Sequence, residues 1–175
     1  VIFFAIFTTA KRREIIALRE HLLLGSACFN GEIFDIAKTK NEEALIKAME
    51  FYDFIEVQPL ENYSFLLNMG DFQDEEEIKR LIKDIISASR VANKKVCVTG
   101  DVHYCKKQDK IYRDVYIAAK GVGGVNHPLM PYARASGKKG QFENPDQHYR
   151  TTNEMLESFA FLGEEVANEI VVTNT

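Results

Sequence analysis

The sequence predicts an α/β fold with mostly parallel strands and outer helices. Two observations carry that expectation. Short β-rich apolar runs alternate along the chain with longer stretches of helical periodicity. These runs stop at punctuating residues, as at Gly25, Pro59 and Gly100. Repeated strand–helix units of this kind place strands side by side in parallel, with helices covering the sheet.

Taken in order, residues 1–8 are apolar and read as a strand. They are too few to cross a bilayer, and they lack the charged start of a signal peptide. Residues 11–21 read as a helix, with Ile15, Ile16 and Leu18 in its apolar stripe. Residues 22–25 form a second short strand, leading into Cys28. Residues 31–37 and 42–52 are expected to be helical. In the second of these, Ala44, Leu45, Ala48 and Met49 share one face. Residues 55–58 form a strand that Pro59 stops, and 61–69 a short helix.

Residues 74–92 give the clearest helical pattern. Asp74 is its expected N-cap, and Glu75 to Glu77 favour the positive end of the helix dipole. Ile78, Leu81, Ile82, Ile85 and Ile86 make the buried face. Residues 96–100 form the next strand and 108–120 a helix, with Ile111, Val115 and Ala118 or Ala119 inward. The stretch 121–147 holds three of the four Pro and five of the ten Gly, and reads as a long loop. Arg134, Lys138 and Lys139 lie in it, suited to a solvated loop or to contact with DNA or a neighbouring domain. Thr151 and Glu154 form a capping box that opens a helix through Phe159. Gly163 interrupts, and 164–172 continues as a second helix.

The composition suits one folded domain. The chain has 175 residues, 46% hydrophobic and 27% charged, which excludes general disorder. A net charge of −4 argues against a stand-alone protein that wraps DNA, because phosphates demand local Lys and Arg. Three Cys without paired spacing give no disulfide framework and favour a reducing cytosol.

Asp101 and His103 carry the chemistry. They follow the run Val96 to Gly100, two positions apart. In extended chain, residues i and i+2 point to the same side, so a carboxylate and an imidazole can aim at one point beyond the strand. That pairing suits a divalent ion such as zinc or manganese. The bland alternative is a capping Asp beside a solvated loop His. Cys28 reads either as a small buried hydrophobe or as a zinc-competent thiolate. Glu32 suits a first-turn helix carboxylate, or a partner of a metal ligand. Glu56 sits at a strand end with no assigned role. Cys97 reads as core and Cys105 as exposed. His127 and His148 read as loop residues bonded to backbone or water.

The runs Gly25–Glu32, Phe54–Pro59, Thr99–Tyr104 and His148–Met155 together resemble the PHP (polymerase and histidinol phosphatase) domain. The specific resemblance is to PolC-type replicative DNA polymerase III alpha subunits of low-GC Gram-positive bacteria. The runs Asp109–Arg113 and Phe161–Glu165 fit the same subunits. The resemblance runs from about residue 18 to 175, in order, and leaves residues 1–10 unplaced. It implies an irregular (β/α)7 barrel with metal ligands at the C-terminal strand ends. Cys28, Asp101 and His103 match ligand positions there, for a zinc, manganese or magnesium ion.

In PolC-type enzymes the PHP domain is interrupted by an inserted proofreading exonuclease, and a His-x-His motif precedes the insertion. No His-x-His occurs among His21, His103, His127 and His148. The resemblance therefore implies the second part of a split PHP domain over 1–147, including the long loop 121–147. Residues 148–175 become a helical segment leading towards the polymerase palm.

The implied activity is DNA-directed DNA synthesis by the whole polymerase. This piece would be a structural, metal-bearing region, without catalytic residues of its own and with weak or no metal binding alone. The implied partners are the exonuclease and palm domains and, through the full-length protein, template–primer DNA and replisome subunits. No membrane is implied, and the setting is cytoplasmic. The alternative is a PHP-family metal-dependent phosphoesterase or 3′–5′ exonuclease.

Overall fold

The computed structural model describes residues 12–119, 121–125, 127, 129 and 144–175. The strand expected over 1–8 and most of the 121–147 stretch, with Arg134, Lys138 and Lys139, lie outside the described residues.

The fold is mixed helix and strand around a small parallel sheet. Strands β1 (Phe54–Val57) and β2 (Lys95–Val98) pair in register, Phe54 opposite Lys95 and Val57 opposite Val98. On the other side of β1, Gly25 makes a single parallel bridge to Phe54, so the 22–25 run is one rung of a strand. It cannot lengthen easily. A Cβ on Gly25 would collide with the Phe54 ring and with Glu56 Oε1, so only glycine brings the backbone this close.

Helix α1 (Arg12–Ala17) is followed by a 3₁₀ turn, Arg19–His21. The single helix expected over 11–21 breaks at Leu18, whose ψ of 9° leaves the α region. Ile16 and Leu18 face solvent, so that stripe is not part of the described core. Helix α2 (Glu32–Lys38) and α3 (Glu42–Met49) follow. The Asn41 side chain caps α3 by accepting from Ala44 N. Helix α3 ends before Tyr52, and Lys94 Nζ donates to the carbonyls of Glu50 and Tyr52 beyond it.

A 3₁₀ turn, Leu60–Asn62, leads into α4 (Ser64–Met69), which Gly70 ends at φ 81°. Helix α5 (Glu75–Val91) starts as expected, with Asp74 Oδ1 accepting from Glu77 N at 2.8 Å. Its Ile78, Leu81, Ile82, Ile85 and Ile86 are buried against Ile55, Val57, Val96 and Val98 of the sheet and the inner faces of α2 and α3. Burying each such side chain is worth about 1.5–3 kcal/mol, which makes this the principal core.

Helix α6 (Lys110–Ala118) is shorter than 108–120 and differently oriented. Ile117 alone is buried. Ile111 and Val115, expected inward, are exposed together with Tyr112 and Tyr116. The helix joins the described core through Ile117, near its C-terminal end.

Helix α7 (Thr152–Ser158) opens on the expected capping box: Thr151 N donates to Glu154 Oε2 at 2.7 Å. Gly163, at φ 86° and ψ 155°, separates it from α8 (Glu164–Asn168), which runs on into a π-helical turn, Glu169–Thr173. Phe159, Ala167, Ile170 and Val171 join the same core as α5. Asn174 Nδ2 donates to Val96 O, and Cys97 Sγ to Asn174 O, tying this end to β2. Among the described residues, no helix is long and apolar enough to cross a membrane.

Candidate functional site

Because the rungs are parallel, the chain leaves Gly25, Val57 and Val98 at the same end of the sheet. Three segments emerge there: Ser26 to Phe29, Gln58 to Asn62, and Thr99 to Tyr104. The sequence-predicted residues Cys28, Asp101 and His103 all lie on them.

Asp101 and His103 do meet, but not through the extended geometry expected. The strand ends at Val98, and Asp101 adopts a left-handed conformation with φ 47°. This turn brings His103 Nδ1 to 2.7 Å from the Asp101 carbonyl oxygen. A carbonyl only accepts, so Nδ1 carries a proton, and in the neutral imidazole Nε2 keeps its lone pair. That is the tautomer a metal-ligating histidine uses. His103 Nδ1 also lies 3.8 Å from Asp101 Oδ1. The loop is pinned from β1's side, where Asn62 Nδ2 donates to Gly100 O at 3.0 Å.

Cys28 sits half-buried on the turn before α2. Burial pushes its thiol pKa up, opposed by backbone hydrogen bonding from Asn30. The negative charges of Asp101 and Glu56 push it further up. The thiol is therefore protonated in the absence of a cation, and a cation between these groups would reverse the electrostatics. Glu56 has a structural task. Its Oε1 accepts from Ala27 N at 3.1 Å, while its own N–H donates to Ser26 Oγ at 2.8 Å. Beneath lies fully buried Tyr63, whose hydroxyl accepts from Gln58 N at 3.0 Å and whose ring stacks on Phe34. Burial raises its pKa.

The donor types fit a divalent ion: one carboxylate, one correctly protonated imidazole and one thiol. Their assembly is partial. Among the described residues, no three of His, Cys, Asp or Glu are spaced to hold a metal.

Glu32 lies elsewhere, in the first turn of α2, paired with Arg12 at 3.1 Å and with Tyr52 Oη at 3.0 Å. Burial and the Glu32 bond push the Tyr52 phenol up to about 12. Cys97 is half-buried and Cys105 exposed. His127 Nδ1 accepts from Leu129 N. Desolvation lowers its pKa.

Sequence reasoning missed the segment that closes this site, residues 144–150. His148 was expected on backbone or water. Instead its Nδ1 is 2.8 Å from Asp146 Oδ1. Asp146 also accepts from Tyr104 Oη at 2.9 Å, and buried Arg150 donates to its carbonyl at 3.0 Å. Gln147 Nε2 donates to Asp101 Oδ2 at 2.6 Å. The one available signal was composition: Asn-Pro-Asp-Gln-His is polar, yet Gln147 and Arg150 are buried. Beside His103 an open cleft of about 460 Å³ is lined by Tyr104, Asp109, Tyr112, Arg113 and Tyr116.

No family profile matches the sequence. Curated relatives do. The chain is 40% identical to "DNA polymerase III PolC-type" of Streptococcus mutans over 181 residues, covering 99% of the chain and 12% of that protein. It is 44% identical to the protein of that name in Bacillus subtilis over 164 residues, 94% of the chain and 10% of that protein. The corresponding Listeria monocytogenes protein is 45% identical over 163 residues, again 93% of the chain and 10% of that protein. The chain thus spans about a tenth of the length of the relatives it matches.

Proposed function

We propose that the chain is a segment of a PolC-type replicative DNA polymerase III, and that the complete polypeptide performs template-directed DNA synthesis. Similarity at 40–45% identity along nearly all of the chain carries this reading. The segment would not itself hold the nucleotidyl-transfer centre. Its role in this reading is structural: the second part of a split, irregular (β/α)7 PHP barrel over 1–147, with 148–175 leading towards the palm. Its partners are the exonuclease and palm domains of the same polypeptide and, through them, primer–template DNA and replisome subunits in the cytoplasm.

Within that reading, Cys28, Asp101 and His103 contribute to a divalent-metal site that other parts of the PHP domain complete. When bound, zinc or manganese would draw the thiolate, carboxylate and imidazole together and stabilise the strand ends that carry them. His103 offers Nε2, while its Nδ1–H is held by the Asp101 carbonyl. A hydrolytic role for the same site, as a phosphoesterase or 3′–5′ exonuclease, is the second reading, favoured by this imidazole and carboxylate at parallel strand ends.

The test is to purify the complete polypeptide that contains this sequence and measure extension of a primed template. Processive incorporation supports the polymerase reading. A folded complete polypeptide with no incorporation rejects it.

A further inference from the structure

Gln147 holds both members of the Asp101–His103 pair. Its side-chain amide donates to Asp101 Oδ2 at 2.6 Å. Its carbonyl accepts from His103 N at 2.9 Å. Its own N–H donates to Tyr104 Oη at 3.0 Å. The residue is 2% exposed, so these bonds form away from water, where geometry is most constraining. The adjacent parallel bridge between Tyr104 and His148 keeps the two segments aligned.

We infer that Gln147 is a positioning residue of this centre, orienting the Asp101 carboxylate and the His103 backbone toward a divalent cation. Three features point that way beyond simple tethering of a loop. First, the partner chosen for Asp101 is a neutral amide. A Lys or Arg would hold the carboxylate equally well but would cancel the charge that a cation needs. Gln147 occupies Oδ2 and leaves the negative charge in place, with Oδ1 turned toward the His103 side. Second, Asp101 keeps a left-handed backbone, which Asp adopts more readily than most residues but which still benefits from being held by its neighbours. Gln147 and Asn62 supply that constraint from two different segments. Third, Gln147 Oε1 is buried and has no hydrogen-bond donor among the described residues. A buried acceptor without a partner is costly, and a water held by a nearby cation is the kind of donor that would satisfy it.

The inference rests on the proposed metal site, and the experiment separates the two. Manganese binding is measured on the complete polypeptide by electron paramagnetic resonance, for the unsubstituted protein and for Asp101→Asn, Gln147→Leu and Gln147→Met. The manganese lost in Asp101→Asn defines the share bound here. For that share, both Gln147 variants should bind at least about tenfold more weakly, the usual effect of removing a group that orients a ligand. In chelator both variants should remain folded. If Asp101→Asn loses manganese and the Gln147 variants keep it, the inference fails and the metal site stands. If Asp101→Asn loses none, the metal reading fails and the inference with it. If both Gln147 variants unfold in chelator, the residue is a structural tether, and the inference is likewise overturned.

Discussion

The Tyr104 hydroxyl donates to Asp146 Oδ1 at 2.9 Å while accepting from the backbone N–H of Gln147 at 3.0 Å. One phenol therefore joins the end of the β2 loop to a segment more than forty residues later. Burial and the Asp146 bond push its pKa up to about 12, so it remains a donor throughout the neutral range.

Tyr104→Phe keeps the ring and removes both bonds. It leaves Asp146 and the Gln147 N–H short of a partner in a half-buried place. We expect a loss of about 1–3 kcal/mol in denaturant unfolding. Amide exchange at Gln147 should accelerate more than exchange in α5. Unchanged protection at Gln147 would contradict the link.

Asp53 provides the clearest acid-sensitive contact. Arg19 Nη2 donates to Oδ1 at 2.6 Å, and Leu24 N donates to Oδ2 at 2.7 Å. The Arg19 bond holds the carboxyl below its ordinary value of 3.8. A depressed folded pKa stabilises the native state above the unfolded value, and that stability is lost as pH falls through the folded value. Asp53→Asn should therefore be less stable than the unsubstituted chain at pH 6. The gap should close steadily below about pH 4. Denaturation midpoints at pH 6 and pH 2.5 check this, and a gap of constant size would refute it.

Metal binding by the 175-residue chain alone should be weak, because it offers only Cys28, Asp101 and His103, and no three such donors among the described residues are spaced to hold an ion. Elemental analysis after dialysis against zinc or manganese should find well below one ion per chain. A stoichiometric ion that resists chelator would show a complete site.

In the complete polypeptide, His103→Ala removes the imidazole and leaves only Cys28 and Asp101 of this chain's three proposed ligands. Loss of a structural metal couples directly to folding. The melting transition should fall by several degrees. Primer extension, measured at a temperature where both proteins are folded, should stay within about twofold. Abolished extension with unchanged melting would mean that the site takes part in the reaction.

The long periodic elements were legible in the sequence because one cause dominates each of them. The isoleucines of α5 repeat at helical spacing, and Asp74 marks its start. Glu154 three residues after Thr151 announces α7. The strand end that carries Asp101 was legible too, through Val96 to Gly100. What stayed hidden depends on distance in space. Ile111 and Val115 have a correct apolar period, but nothing in α6 itself says whether a partner surface lies beneath it. Asp101's left-handed turn replaced an extended geometry that spacing alone suggested. Gln147 and Asp146 lie in a polar, proline-containing stretch that reads as solvated loop. Their burial arises from Tyr104 and Asp101, far away in sequence.

The tie between Asn174 and β2 has a consequence for self-association. Among the described residues, β2 has no strand on the side away from β1, and an open edge recruits strands from other molecules. Asn174 Nδ2 already occupies the Val96 carbonyl, and Cys97 Sγ is spent on Asn174 O. The π-helical turn that delivers Asn174 thus works as a guard rail, filling with a side-chain amide the place where a foreign strand would begin to add.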